Sequence, residues 1–371
     1  MTETTMQAAV LHDIGAEMTV ESVALPQVRP DEILVRVEAS NVVQNLRNVL
    51  KAAGEDSPMS YPTLPAIFGL DNAGTVERCG TITSGFSEGD RVYVNPGISC
   101  GGCEACRKGD PLHCQRYALR GYFGISKDSQ QTLDNFPQGG FAQFMSVSQA
   151  QLVKLPDGLD FDTASRLGYL GTAFRALRLA ECGPGSVVVV NGVTGTLGLG
   201  VAVIAVALGA AKVLGTARDA ELLARVKALA DGDRIEVLEL GTRPVDEWVK
   251  EKTGDQGADI AIDALGQGAP TDPMQQAMRS LKRGGTLVNI GAVEGDLPVD
   301  LMWMMSNCIR ILGSTWFTTK ESQELADMIG TGILDLSFFE TETFPLTAVN
   351  EAISDTSERS GGFSNFVLRP N

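Results

Sequence analysis

Cys100, Cys103, Cys106 and Cys114 follow a C-x2-C-x2-C-x7-C spacing, which lets four thiolates on one short loop surround a tetrahedral zinc ion. Protein sulfur would fill every position, so such a site staples the fold and leaves no place for a substrate. Disulfides and an iron–sulfur cluster are the competing uses of these residues, although cysteines three apart make poor bridges. Only two histidines exist, His12 and His113. That scarcity argues against a His-rich metal site and against a Ser-His-Asp triad.

The second set is Gly192, Val193, Thr194, Gly195, Thr196, Leu197 and Gly198. Four valines precede it (Val187 to Val190), read as a strand buried on both faces, and an apolar segment from Leu199 follows as a helix. Strand, glycine turn and helix in that order make the phosphate site of a dinucleotide. The first glycine permits the turn, the second admits the pyrophosphate, and the third lets helix pack on strand. Helix-terminal N–H groups then face the anion. The spacing is G-x-x-G-x-x-G rather than G-x-G-x-x-G, so the flanking elements carry the reading. Leu199 to Ala211 spans 13 residues, short of the ~20 that a bilayer needs.

An acid about 20 positions after the third glycine would hold the ribose hydroxyl of NAD. That position here is Ala217, nineteen after Gly198, and Arg218 follows it. An arginine suits a 2′-phosphate, which favours NADP(H) over NAD(H). Stacking of Arg218 on adenine, or pairing with Asp219 or Glu221, are the alternatives.

These groups need a scaffold, and the pattern predicts one in two parts. Strands are expected at Gln7 to Val10, Ile33 to Val37, Phe68 to Val76, Asp90 to Val94 and Gly139 to Val147, with turns between. Arg116 to Gln138 shows no periodicity and reads as one long loop. After the Pro156-Asp157-Gly158 turn, apolar strands alternate with helical stretches: Val187 to Asn191, Lys212 to Thr216, Ile235 to Leu240, Ile260 to Asp263 and Thr286 to Ile290. That alternation implies an α/β fold with a parallel doubly wound sheet. A helix at Lys320 to Thr331 and a last strand at Ser364 to Leu368 complete the tail. Cys79, Cys182 and Cys308 are isolated and read as packing thiols.

With 371 residues the length suggests two or three domains, and a net charge of −16 argues against nucleic acid or an anionic membrane as partner. The N-terminal MTETTMQAAVLHD has no basic stretch followed by an apolar run, so a cytoplasmic chain is expected.

The chain resembles the medium-chain dehydrogenase/reductase superfamily over nearly its full length. The matching residues are Asp90 to Val92, the four-cysteine lobe, GGFAQF, Lys154 to Ser165, the glycine loop and Arg283 to Ala292. The resemblance implies a GroES-like β-barrel substrate domain, residues 1–156 and 315–371 with the zinc lobe at 95–115. It implies a Rossmann domain at 157–314 and an active site in the cleft between them. Thr172, Gly266, Gly291 and Ala292 match positions that line the nicotinamide and ribose. A homodimer or homotetramer is expected on the same ground.

The departures from the family are specific. The family's three catalytic-zinc ligands, Cys, His and Cys, fall on Val43, Leu70 and Tyr169, and valine and leucine cannot bind zinc. The relay hydroxyl and relay histidine fall on Asn45 and Asn48, and a pyrophosphate-binding arginine on Asn365. The resemblance therefore implies one structural zinc and no catalytic one. Hydride transfer to a carbonyl leaves an alkoxide that zinc would stabilise. Transfer to the β-carbon of a conjugated enone leaves a delocalised enolate with a milder demand. Tyr169 becomes a candidate donor or acid, with space-filling as the alternative, and Gln44 and Asn45 become candidate amide donors. Asp71 matches the acid beside the family's zinc and is expected to be structural. The reading is an NADPH-preferring reductase of a small or medium α,β-unsaturated carbonyl compound. Its rivals are a metal-free alcohol dehydrogenase or carbonyl reductase, and a non-catalytic cofactor-binding sensor.

Overall fold

The computed structural model describes residues 4–52, 57–358 and 360–371; the first residues of the N-terminal stretch read above lie outside them. The four valines do form a strand, Val187–Asn191, whose middle residues are fully buried. Apolar on both faces, it lies inside a six-stranded parallel sheet. In spatial order the strands are Ile235–Glu239, Lys212–Ala217, Val187–Asn191, Ala258–Asp263, Leu281–Asn289 and Arg310–Gly313. The order reverses direction between Val187–Asn191 and Ala258–Asp263, so crossovers leave on opposite faces and a crevice opens above the strands' carboxyl ends. This is the expected Rossmann sheet, with the edge strand Arg310–Gly313 as an addition that its short, charged start concealed.

The other unit is β-rich. A seven-stranded sheet runs Leu152–Lys154, Arg91–Val94, Asp71–Cys79, Glu32–Asn41, Ser364–Arg369, Glu340–Pro345, with Phe144–Ser148 also paired to Glu32–Asn41. The chain's last strand thus closes against one of its first: Val367 faces Asn41 and Leu368 faces Ser40. A smaller sheet sets Thr5–Leu11 between Thr19–Ala24 and Ala66–Ile67.

Several expectations need correction. Residues 116–138 are not one loop: they carry the two-residue strands Ala118–Leu119 and Phe123–Gly124 and the helix Gln130–Asn135. Elements that short have no period to read. The strand expected from Phe68 begins at Asp71, because Gly69 takes φ +116° and turns the chain first. Cys308 does not pack; it is exposed and ends the helix Leu301–Asn307 in a left-handed conformation.

The two units meet through the helix Leu167–Leu179, which packs on Thr196–Ala207 and on Thr319–Gly330. Among the described residues, no helix is long and apolar enough to cross a membrane.

Candidate active site

The glycine turn fits a dinucleotide phosphate. Gly192 sits at φ +76°, where a side chain would be strained. Its N–H and that of Val193 donate to Thr216 O at 2.9 and 3.1 Å. A Cβ on Gly198 would meet the backbone of Gly192 and Val193 inside 3.0 Å, so the third glycine is required by close packing. The helix Thr196–Ala207 starts after Gly195 with no side-chain cap. Its first N–H groups therefore face the crevice for an anion to use. Thr194 and Leu197 are half-buried in this turn.

Beneath the turn lies a group that sequence reading missed. Thr216 Oγ1 donates to Asn191 Oδ1 at 2.8 Å, and Asn191 Nδ2 donates to Asp263 Oδ1 at 3.1 Å. All three are fully buried, and burial pushes the Asp263 carboxyl up. The network ties the carboxyl ends of three adjacent strands at the reversal point. Gly291 accepts this closeness: its N–H donates to Asp263 O, and Ala292 N–H donates to Leu265 O at 2.9 Å. Gly266 and Ala292 are exposed on the same rim, and Thr172 is buried with Oγ1 on Gly168 O at 3.0 Å.

Ala217 is buried at the end of its strand, and Arg218 follows it exposed. Asp219 instead caps the next helix, accepting from Leu222 N at 2.9 Å. Arg218 has no hydrogen-bond or ion-pair partner among the described residues, so the alternative of pairing with Asp219 or Glu221 is not realised.

Gln44 reaches across from the β-rich unit. Its Oε1 accepts from Thr196 Oγ1 at 2.6 Å, while Nε2 is buried without a partner. That places the amide at the cofactor helix's first turn. Asn365 is fully buried and already bonded to Asn41, Asp162 O and Thr341. It holds the barrel and does not reach a phosphate.

At the positions where the resemblance would put the family's metal ligands stand apolar and phenolic side chains. Val43 and Leu70 are buried, and Tyr169 is half-buried on the helix Leu167–Leu179. Behind them Asp71 is buried, with Oδ1 accepting from Tyr93 OH at 2.7 Å and Oδ2 without a hydrogen-bond partner. Gly168 is what admits it, since a Cβ there would strike both carboxyl oxygens. Burial raises Asp71 to about 7, against the lowering effects of Tyr93 and the Arg166 charge. Arg166 lies 5.3 Å from the Tyr169 ring centre and 5.0 Å from that of Phe339, with Nη2 on Gly362 O at 2.9 Å. Tyr122 completes the group. Its hydroxyl shares a hydrogen bond with Asn45, and burial, with Tyr169 and Asp71 nearby, holds its proton firmly. Asn45 also accepts from Asn48 Nδ2 at 3.0 Å. Tyr122, Tyr93 and Arg166 were missed because no sequence period places them together. Trp316 and Phe317 belong to the core: they stack at 4.9 Å, and Phe317 fills the space above Gly171.

The cysteine lobe lies away from this cleft. The four sulfurs lie within 4.8 Å of one another, with Cys103–Cys106 at 3.5 Å and Cys100–Cys114 at 3.6 Å. Those edges match the ~3.8 Å that follows from tetrahedral zinc–sulfur bonds of ~2.3 Å, and are far longer than a disulfide. The Gly102 and Cys103 N–H groups hold the Cys100 thiol down to about 6, ready as a thiolate. Among the described residues this is the one cluster of three or more His, Cys, Asp or Glu side chains suited to a metal ion.

Comparison with known proteins agrees with this geometry. The profile of the alcohol dehydrogenase GroES-like domain matches residues 29–157, and that of the zinc-binding dehydrogenase matches 196–331. An alcohol dehydrogenase of Moraxella sp. is 31% identical, over 88% of this chain and 89% of its own. An acryloyl-coenzyme A reductase of Sulfurisphaera tokodaii is 28% identical, over 86% and 87%. A crystal structure of an NAD-dependent alcohol dehydrogenase superposes with a TM-score of 0.80 at 26% identity, covering 99% of this chain and 100% of that one.

Proposed function

Because the chain belongs to the zinc-type, alcohol dehydrogenase-like medium-chain dehydrogenase/reductase superfamily, we propose that it is an NADPH-preferring reductase of α,β-unsaturated carbonyl compounds that works without a catalytic zinc. One observation carries this reading: where the family would have its metal ligands, this chain has the buried Val43 and Leu70, which offer no lone pair, and the phenol of Tyr169 with Tyr122 near it. When bound, the nicotinamide supplies a hydride. The residues of the cleft must then accept developing negative charge on the substrate and deliver one proton. In this reading Tyr169 and Tyr122 donate it, and the hydrogen bond between Asn45 and Tyr122 orients the latter. A conjugated alkene suits these weak donors better than an isolated carbonyl, because its enolate spreads the charge. The coenzyme A-linked alkene reductase among the relatives is consistent with C=C chemistry. The alcohol dehydrogenase relatives favour a second reading, carbonyl reduction with phenol and amide donors.

Gln44 belongs, on its contact with Thr196, beside the cofactor's phosphates rather than at the reacting carbon. Arg218 supports NADPH because its guanidinium is exposed and uncommitted at the end of the second strand. Arg218→Ala is expected to raise KM for NADPH about 10- to 100-fold while KM for NADH barely moves. Equal effects on both cofactors would contradict the assignment. Elemental analysis should find one zinc per chain in the fully active enzyme, and two would overturn metal-free catalysis. NADPH binding with no turnover of any carbonyl would favour the sensor.

Homo-oligomerisation and a cytoplasmic location belong to the same proposal. Leu301, Met302 and Met305 are 71%, 67% and 65% exposed, and the strand Arg310–Gly313 that follows their helix is the sheet's edge, with no further strand beyond it among the described residues. A second copy would cover such a face. Light scattering should give a multiple of 39.4 kDa.

A further inference from the structure

Where the strands of the parallel sheet end, one row of side chains changes character. Two rows before it cross four adjacent strands in register: Leu214, Val189, Ala261 and Leu287, then Gly215, Val190, Ile262 and Val288. Neither holds a polar side chain. The next row is Thr216, Asn191, Asp263 and Asn289, polar at every position. Hydrogen bonds run along it from Thr216 Oγ1 to Asn191 Oδ1 and from Asn191 Nδ2 to Asp263 Oδ1. Thr216, Asn191 and Asp263 are fully buried. An apolar row would hold the sheet as well, without the cost of desolvating these groups. The use of the polar row lies in what it touches.

It touches both sides of the crevice. At one end the Thr216 carbonyl accepts the Gly192 and Val193 N–H groups at 2.9 and 3.1 Å, which fixes the start of the glycine turn. At the other, Asn289 Oδ1 and Asp263 O share the Gly291 N–H, both at 3.0 Å. Asp263 O also accepts from Ile290 N at 3.0 Å, and Ala264 N donates to Asn191 O at 3.1 Å. The rim at 264–266 therefore leaves the sheet from the middle of the row. Gly291 packs against that rim so closely that a Cβ would strike the Leu265 carbonyl.

We propose, resting on the reading of this crevice as the NADPH site of a reductase, that Thr216, Asn191 and Asp263 are positioning residues. They fix the spacing between the turn that takes the cofactor's phosphates and the rim that takes its nicotinamide. Turn and rim are far apart in the chain: the turn follows Val187–Asn191, and the rim follows Ala258–Asp263 and Leu281–Asn289. Hydrogen bonds of defined length and direction link them, where apolar contacts would let the strand ends shift. A rim held at the right distance from the anchored phosphates need not be ordered when the nicotinamide arrives. The row thus adds to the affinity of the whole cofactor and not to that of its adenosine and phosphate portion.

The test is isothermal titration of the full chain with NADPH and with 2′-phospho-ADP-ribose, the same molecule without its nicotinamide ring. Wild type should bind NADPH the more tightly. Thr216→Val keeps the branched shape and removes the hydroxyl donor, and Asp263→Leu removes the carboxyl acceptor. Each should weaken NADPH about 5- to 10-fold, as expected for one buried hydrogen bond, and leave the ring-less ligand within about twofold. Thr216→Ser restores the hydroxyl and should bind NADPH as wild type does. If Asp263→Leu does not fold, the two Thr216 variants decide. Equal weakening of both ligands overturns the proposal, because a row that only holds the sheet would harm both alike. Unchanged NADPH binding in Thr216→Val overturns it too, as does a wild type that binds both ligands equally. No substrate enters this test. Absent turnover with the difference between the ligands intact contradicts the reductase reading alone, whereas a wild type that binds neither ligand contradicts the cofactor site and the proposal with it.

Discussion

Gly198→Ala is expected to weaken NADPH binding by two orders of magnitude or more. The new methyl would strike the carbonyl of Gly192 and the Cα of Val193, both backbone atoms that cannot rotate away. Relief requires the turn to lift off the helix Thr196–Ala207 or the helix to slide along its strand. Either motion takes the first-turn N–H groups from the place where they face the phosphates. Losing two such bonds to a charged group, at about 1.5–3 kcal/mol each, accounts for the effect. Gly183→Ala is the matched control: its added carbon meets nothing within 4 Å. Isothermal titration of both variants with NADPH should show near-total loss in the first and wild-type binding in the second. Wild-type binding by Gly198→Ala would mean that the cofactor does not sit on this turn.

Cys106→Ser is expected to take the zinc content from one per chain to none and to lower Tm by roughly 5 °C or more, at about 2–4 °C per kcal/mol. The lobe has little else to hold it. Between Cys100 and Cys114 the regular structure is the four-residue helix Glu104–Arg107 and one turn at Pro111–His113, neither with a buried residue, and the lobe's one short strand, Gly97–Ile98, precedes the first ligand. Cys114 alone of the four ligands is fully buried. Without metal, the lobe should become a preferred site for trypsin at Arg107, Lys108 or Arg116, while the Rossmann sheet stays folded. Turnover below the new melting point should be largely retained, because the cluster lies outside the cleft. Loss of all activity in a folded, zinc-free variant would place the metal in catalysis.

How far the sequence reaches depends on whether local pattern carries the information. Val187–Asn191 was read to the residue because four consecutive valines suit only a strand buried on both faces. The cysteine cluster was equally plain, since its ligands are neighbours in the chain. The alternation of strands and helices gave the parallel sheet, but Arg310–Gly313 and Glu340–Pro345 escaped because edge strands expose polar residues that break the pattern. The cleft was legible only at positions where a family motif pointed. Tyr169, Asn45 and Asp71 came that way. Tyr122 sits in a stretch without period, and Arg166 looks like an ordinary surface charge. Burial by Gly362 and Phe339, which lie far along the chain, makes it otherwise. The sequence favours a structural role for Asp71 over a catalytic one, and only its burial, which Gly168 permits, raises its carboxyl to about 7.

Product identity with NADPH and cinnamaldehyde tests the central claim most directly. Phenol donors, with Val43 and Leu70 where the family would have metal ligands, predict the saturated aldehyde, formed by hydride addition to the β-carbon. Formation of cinnamyl alcohol would contradict the account: the carbonyl itself would then be reduced, and the donors replacing zinc would have to stabilise a full alkoxide.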